Sequence, residues 1–370
     1  MKALAVLALL LLATPLLAQE SGVPKLEWEF SGDKPENFTL AIKGTEKFDR
    51  SSARGAALAL MSIQDLMEAT DDSELSKLLS AFALDGEYLA AAKLLTPEYI
   101  AEMRATRDAE SAEQAEREAK ERTEGKPARK VLPSRVTGEH AGDDGSVIVE
   151  AERVSEHGEK TDGKWEKAVR TQKVRYTAMK AGEAWVISKF ERFRRDYRAK
   201  AEKYEWAEEE TIGFFMLIAQ AQPPEEQPIC DTPEASARAA VTWLHTATQA
   251  SGQIAIRKAL RVVLDAMRPC FSKEHVAAIE KQVAEETSKA AERRKTDSEA
   301  AKKREVTPAK VLEEGVVEIT VNPAKDGYEG LRLTMEKHGL VWKIKSASKV
   351  RMEGKEEIVT PIKRIYEIGN

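Results

Sequence analysis

In the stretch VIVEAE at residues 147–152, Val147, Val149 and Ala151 alternate with Ile148, Glu150 and Glu152, and VEITV at residues 317–321 alternates apolar and polar side chains in the second half of the chain. A companion stretch follows each of them, KVRYTA at 173–178 and LRLTME at 331–336. Alternation with a period of two is typical of antiparallel strands that have one face on a core and one face in water. The sequence therefore predicts two antiparallel sheets.

Helical patterns precede each set of strands in the same order. SARGAA at 52–57 and SARAAV at 236–241 open the first helices, and TPEYI at 96–100 and SKEHV at 272–276 open long, charged, alanine-rich helices. The shared order favours a duplicated fold. The alternative is a chance match between two generic patterns of helices followed by strands.

These patterns predict an α+β protein with two tandem helix-rich domains, each with a curved antiparallel sheet packed on helices, after a cleaved signal peptide. The length of 370 residues suits two domains better than one. The predicted division is a signal peptide at 1–18, an N-terminal β-hairpin segment at 19–50, a first α+β domain at 51–193, a linker with an apolar patch and a Pro-rich end at 194–230, and a second α+β domain at 231–370.

The N-terminus has the pattern of a secretory signal. Lys2 precedes an apolar run at 3–12, and Ala18 lies just before the predicted cleavage ahead of Gln19. We expect export to the periplasm or the extracellular space and no membrane insertion after cleavage; a retained N-terminal anchor is the alternative. The net charge of −5 argues against a nucleic-acid partner, because nucleic-acid-binding domains usually carry a basic excess.

The two cysteines, Cys230 and Cys270, lie before one predicted helix and after the next. In an antiparallel helical hairpin those two points meet, and an exported chain reaches an oxidising compartment, so we expect a disulfide between them. The alternative is two unpaired structural thiols. No close pair of His or Cys accompanies either residue, and we predict no metal site.

The stretch LDGEYLAAAKLLTPE at 84–98 resembles the sequence pattern of the second helix in the nuclear transport factor 2-like superfamily. The closing strands Trp185-Val186-Ile187 and Trp342-Lys343-Ile344 also fit that superfamily. The resemblance implies cone-shaped α+β domains, in which helices pack into the concave face of a curved antiparallel sheet. Enzymes of this superfamily place an acid, a His or a Tyr inside the cone.

Few residues in the sequence suit such chemistry. His245 lies beside apolar residues on a predicted helix, and Tyr176 occupies an inward position of a strand, so both are candidate acid–base residues. A boundary histidine and a core aromatic are the alternative interpretations. The candidate pocket-lining residues are Tyr88, Tyr176, Trp185, Trp243 and Trp342. The chain contains no nucleophile elbow, zinc-protease motif, phosphate loop or dinucleotide fingerprint, and we predict no cofactor.

The absence of a catalytic constellation favours a non-catalytic exported protein that binds an unknown protein or a small molecule through its two domains. A lyase or isomerase with a cone-shaped pocket is the alternative, with His245 or Tyr176 as the acid–base group. A structural component of the cell envelope is a further alternative, in which the long charged helices make assembly contacts.

Overall fold

The computed structural model describes residues 24–34, 37–70, 74–195, 203–208, 228, 230–324 and 329–368. The predicted signal peptide at 1–18 and the apolar patch of the linker at 212–219 lie outside these ranges. Among the helices of the described ranges, none is long and apolar enough to cross a membrane.

The described residues form helices and strands in the following order. The helices are α1 (Ala53–Glu68), α2 (Glu74–Ala91), α3 (Pro97–Thr123), α4 (Pro233–Ala239), α5 (His245–Gly252), α6 (Ile254–Met267) and α7 (Lys273–Lys302). The strands are β1 (Glu27–Ser31), β2 (Thr39–Lys43), β3 (Lys130–Ala141), β4 (Val147–Thr161), β5 (Lys164–Ala181), β6 (Ala184–Arg195), β7 (Tyr204–Glu208), β8 (Lys310–Glu313), β9 (Val316–Val321), β10 (Gly330–His338), β11 (Val341–Glu353) and β12 (Glu356–Pro361). The α+β class predicted from the sequence is confirmed.

The chain divides into two compact units, and each unit collects three stretches of sequence. Unit 1 consists of Met1–Leu78, Glu118–Ile218 and Lys258–Ala284, and unit 2 consists of Leu79–Arg117, Ala219–Arg257 and Glu285–Asn370. Each unit therefore draws on both halves of the chain. The contiguous domains at 51–193 and 231–370 stay a prediction about how the polypeptide divides.

Unit 1 contains an antiparallel five-stranded sheet in the order β3-β4-β5-β6-β7, together with the β1-β2 hairpin. Asp162 and Gly163, both with positive φ, close the long β4–β5 hairpin, as two-residue turns of this sequence do. The core lies between this sheet and α1, whose Ala56, Leu60 and Ile63 are spaced for one helix face. Residues of α6 and α7 that belong to unit 1 join the same core.

Unit 2 contains an antiparallel sheet in the order β12-β11-β10-β9-β8. The helix that packs on it begins at the N-cap Thr232, whose side chain accepts a hydrogen bond from Ala235 N, and Pro233 takes the first helical position. One π-helical turn, Ala240–Leu244, separates α4 from α5. The core of unit 2 combines these helices with residues 88–103 and the inward faces of β9, β10 and β11.

The first helices of the two halves begin in the same way in the structure, but the equivalent residues are not those that the alignment of SARGAA with SARAAV pairs. The second of these helices begins one turn earlier than that alignment predicts. Ser52 is the N-cap of α1, whereas Ser236 lies inside α4, where its Oγ donates to Trp342 O at 2.8 Å. The N-caps Ser52 and Thr232 are therefore the equivalent positions. Each N-cap lies two residues after a backbone carbonyl that accepts a hydrogen bond from the backbone N–H of a tryptophan. Arg50 O accepts from Trp185 N, and Cys230 O accepts from Trp342 N.

Candidate functional site

A network of polar side chains lies against the sheet of unit 1. Helix α1 contributes Gln64, Asp65 and Glu68 from its last turns. Three strands supply their partners: Ser134 from β3, Arg153 from β4 and Tyr176 from β5. Residues three and four positions apart share a helix face, so α1 presents its three polar side chains on one side.

Asp65 is held by Ser134. Ser134 N donates to Asp65 Oδ2 at 3.1 Å, and Ser134 Oγ donates to Asp65 Oδ1 at 2.7 Å. The pairing of β3 with β4 shifts register between Leu132 and Arg135, which leaves the Ser134 amide outside the strand ladder. Such bulges turn a residue away from its regular direction. The local irregularity of β3 therefore gives the carboxylate both of its donors from one residue.

Arg153 connects two carboxylates. Its Nε lies 3.4 Å from Asp65 Oδ1, and its Nη2 lies 2.9 Å from Glu68 Oε2. Arg129 Nη2 contacts Glu68 Oε1 at 3.2 Å. Two guanidinium groups thus balance two carboxylates, and this pairing compensates the removal of the charges from water.

The network runs from the core toward solvent. Tyr176 is 0% exposed, and the exposed fraction of the side chain is 10% for Arg153, 15% for Asp65, 28% for Glu68 and 38% for Arg129. A molecule that approaches from water would meet Glu68 and Arg129 first. These two side chains carry opposite charges.

Burial raises the pKa of Asp65, and the hydrogen bonds from Ser134 and the charge of Arg153 oppose that rise without cancelling it. The folded protein therefore holds a proton on Asp65 more tightly than the unfolded chain does. Carboxyls with this property are candidates for acid–base chemistry.

Tyr176 occupies the innermost position of the network. Its hydroxyl donates to Gln64 Oε1 at 2.8 Å, and its ring stacks on Phe190 with centroids 5.0 Å apart. Burial raises the pKa of Tyr176 far above its usual range, so the phenol stays protonated. The residue has no exposed surface and does not reach a substrate in this conformation.

Unit 2 has apolar side chains at the matching positions of its sheet. In unit 1, Tyr176 pairs with Val149 and Phe190, and the β5–β6 register shifts between Thr177 and Ala178. In unit 2, Leu333 pairs with Ile319 and Ala347, and the β10–β11 register shifts between Thr334 and Met335. Leu333 therefore takes the place of Tyr176 in the strand.

The other residues predicted from the sequence fall into two groups. Tyr176 belongs to the core of unit 1, and Trp185 packs on that core. Tyr88, Trp243 and Trp342 belong to or pack on the core of unit 2. The predicted pocket residues thus divide between the two units, and their role in a pocket stays a prediction.

His245 begins α5 directly after the π-helical turn in unit 2. Burial lowers its pKa, so the neutral imidazole is favoured. Its Nδ1 is buried and has no hydrogen-bond partner among the residues that the structure describes. In the described part of unit 2, no carboxylate or hydroxyl group forms a hydrogen bond with the imidazole ring that would activate it as a base.

Two of the predicted aromatic residues contact cations instead. The Arg104 guanidinium lies 4.4 Å from the Tyr88 ring centroid, and the Lys93 ammonium lies 5.5 Å from the Trp243 ring centroid. Cation–π contacts of this kind stabilise surfaces and interfaces alike. Both contacts lie within unit 2.

The predicted disulfide between Cys230 and Cys270 is wrong, because both thiols are free and buried. Cys230 belongs to unit 2 and Cys270 to unit 1, so the helical hairpin that would have brought them together does not form inside one unit. Burial raises the pKa of Cys230 and raises that of Cys270 to about 11. Within the described ranges, no group of three or more His, Cys, Asp or Glu residues is placed to hold a metal ion.

Comparisons with known proteins add little. No protein-family model and no curated protein matches the chain. One similar solved structure is an Ntf2-like protein involved in plasmid conjugation, with 8% sequence identity over 65% of this chain and 79% of that chain, and a TM-score of 0.13. A similarity at this level supports no argument about fold or function.

The sequence analysis missed the network around Asp65, although one signal was present. Inward positions of β4 alternate as Val147, Val149 and Ala151, and the next position in that series is Arg153. A charged residue at an inward strand position needs a buried partner. The partner, Asp65, lies on α1 far away in sequence, and no local pattern pairs the two.

Proposed function

We propose that this chain is an exported, non-catalytic protein that binds a small polar ligand or a partner through the network of unit 1. The observation that carries the proposal is the contrast at matching positions: unit 2 fills its sheet with Leu333, whereas unit 1 carries Tyr176 with an ion-paired network beside it. A buried ion pair adds little stability over apolar side chains of similar size. Retention of the charges in unit 1 therefore favours a role in recognition.

The order of exposure defines the kind of ligand. Glu68 and Arg129 lie at the solvent end of the network with their charges paired to each other. A zwitterion matches this arrangement, because its ammonium group pairs with Glu68 and its carboxylate pairs with Arg129. Arg153 then fixes the position of Glu68, and Ser134 fixes that of Asp65.

The test is a thermal-shift screen of the mature chain with free amino acids at millimolar concentration. We expect at least one amino acid to raise the melting temperature, and the shift to disappear in Glu68→Gln/Arg129→Ala. The matched control is Glu357→Gln, which removes an exposed ion pair with Arg332 in unit 2 and leaves the shift in place. Shifts that survive in the Glu68/Arg129 variant, or no shift with any probe, contradict the proposal.

A second candidate function is a lyase or isomerase, and the raised pKa of Asp65 favours it. In this case Asp65 exchanges a proton with a substrate carbon beside a carbonyl. Cyclohexanone in deuterated water is a suitable probe: faster deuterium incorporation with the wild type than with Asp65→Asn supports catalysis, and equal rates remove the candidate.

We also propose that the two units are copies of one cone-shaped fold of the nuclear transport factor 2-like type. The shared position of the register shift in the β5–β6 and β10–β11 pairs supports this proposal, as do the equivalent N-caps Ser52 and Thr232. The proposed export rests on residues 1–18, and N-terminal sequencing of the secreted chain tests it. A mature N-terminus at Gln19 supports cleavage, and an intact Met1 contradicts it.

A further inference from the structure

Each unit contains a short parallel bridge between its tryptophan strand and a turn from the other half of the chain. In unit 2, Leu95 bridges Ile344, with Thr96 N donating to Ile344 O at 2.9 Å and Ile344 N donating to Leu94 O at 2.7 Å. In unit 1, Phe271 bridges Ile187, with Ser272 N donating to Ile187 O at 3.0 Å. The two bridges are equivalent, and in both the turn and the strand come from opposite halves of the chain.

The same relation holds for the helices that follow and precede these turns. Residues 79–117, named here the first arm, belong to unit 2, and residues 258–284, named the second arm, belong to unit 1. The first arm runs from α2 into the long charged helix α3, and the second arm runs from α6 into the long charged helix α7. The first arm, from the first half of the chain, thus lies in unit 2, and the equivalent second arm, from the second half, lies in unit 1.

The backbone bridges alone do not decide which turn pairs with which tryptophan strand, because each turn offers the same backbone donor to either strand. Side chains of the first arm favour the pairing with the second half of the chain. Tyr99 Oη donates to Ile362 O at 2.8 Å and accepts from Ala347 N at 3.1 Å, and Tyr99 is buried. At the equivalent position of the second arm, His275 makes a hydrogen bond with the Ser188 backbone of β6 and stacks on Phe271 with centroids 4.5 Å apart, so the phenol of Tyr99, which bonds both a backbone carbonyl and a backbone N–H, has no identical counterpart there.

Close helix packing adds a second selective contact. A Cβ on Gly86 would lie 2.5 Å from Ser251 O, and a Cβ on Gly252 would lie 2.9 Å from Glu87 Cγ. At Gly86 the obstacle is a backbone carbonyl, so only glycine fits there without a shift of the backbone, whereas at Gly252 the Glu87 side chain would have to move. An exposed ion pair, Arg364 Nη2 to Glu110 Oε1 at 2.6 Å, fixes the far end of the first arm.

We propose that the first arm is a docking element specific for the second half of the chain, and that Tyr99 is the residue that selects this partner over the first half. The partner is the second half of the same polypeptide. Exchange within one chain makes each unit depend on both halves, independently of any ligand function.

Cross-linking of the full chain tests the exchange. We would replace Glu110 and Arg364 by cysteine in a background with Cys230→Ser and Cys270→Ser, add a specific protease site at 223–227, and treat the folded chain with a short bis-maleimide. After protease cleavage and denaturation, we expect the two halves to migrate as one linked species with the mass of a single chain. The matched control replaces Arg54 and Glu139, an exposed ion pair within the first half, and its halves separate.

The selective role of Tyr99 is tested in the same chain. In Tyr99→Phe we expect amide hydrogen exchange across 97–117 to speed up about tenfold, since a buried N–H and a buried carbonyl lose their partner. Exchange should not change there in Tyr204→Phe, an exposed tyrosine of unit 1. Separated halves with the Glu110–Arg364 pair, a linked product of two chains, or unchanged exchange in Tyr99→Phe would overturn the proposal.

Discussion

Units 1 and 2 share a backbone pattern and differ in what fills it. Both sheets shift register at the same point beside the tryptophan strand, and both receive a parallel bridge there. Unit 1 then places Tyr176 and an ion-paired network at that position, whereas unit 2 places Leu333. The backbone register is therefore common to the two units, and the interior side chains distinguish them.

The largest expected effect comes from truncation of the two matched core residues. We expect Tyr176→Ala to reduce the free energy of unfolding by about 3–5 kcal/mol and Leu333→Ala by about 2–5 kcal/mol, because each leaves a cavity. Urea denaturation measures both. Tyr176→Phe separates the ring from the hydroxyl: it keeps the packing and leaves Gln64 Oε1 without its donor.

A loss below about 1 kcal/mol in Tyr176→Ala would contradict the placement of Tyr176 in a close-packed interior. Leu89→Ala serves as the surface control for these truncations, because Leu89 is mostly exposed on α2. We expect Leu89→Ala to change stability by less than about 0.5 kcal/mol.

Gly86→Ala tests the close helix packing of unit 2. Alanine favours a helix over glycine by about 1 kcal/mol, yet here its Cβ would meet the Ser251 carbonyl. We expect a net loss of about 1–3 kcal/mol in the free energy of unfolding. A gain in stability would show that α2 does not approach Ser251.

Two carboxylates of unit 1 predict opposite pH responses. Burial raises the pKa of Asp65, so its contribution to stability is present in full below its ordinary pKa and falls as pH rises through the folded value. The hydrogen bond from Arg175 lowers the pKa of Glu191, so its contribution is present above the ordinary value and is lost as pH falls through the folded value.

Urea midpoints of the wild type, Asp65→Asn and Glu191→Gln between about pH 3 and pH 7 check these signs. We expect Asp65→Asn to remove a fall of stability with rising pH, and Glu191→Gln to remove a fall with decreasing pH. Parallel curves for all three proteins would contradict both pKa shifts.

The smallest expected effect concerns the cysteines. Because both thiols are free and buried, and burial raises the pKa of Cys270 to about 11, we expect no change in melting temperature on addition of a reducing agent. A thiol reagent should react only after unfolding. A shift to lower melting temperature under reduction would instead reveal a disulfide.

Local patterns were enough to predict the strands and the α+β class, because alternation of apolar and polar side chains acts over a few residues. They gave no information on which turn bridges which tryptophan strand, since Leu95 and Phe271 suit both. They also placed Cys230 and Cys270 in one hairpin, although the chain changes unit between Arg257 and Lys258.

The network around Asp65 escaped prediction for a related reason. Its members come from α1 and three strands, and the amide of Ser134 becomes available only through the bulge in β3. Tyr176 was predicted as a candidate acid–base residue, and the structure gives its hydroxyl to Gln64 instead. Long-range pairing of polar residues leaves no periodic trace in a single sequence.

The central claim is that the ion pair of unit 1 serves recognition and not stability. A double-mutant cycle of Arg153→Met and Asp65→Asn tests it, since Asn at position 65 keeps partners for Ser134. We predict that Arg153→Met alone lowers the free energy of unfolding by about 3–5 kcal/mol, whereas the double variant matches the wild type or exceeds it by about 1–4 kcal/mol. A double variant as unstable as Arg153→Met would contradict the claim.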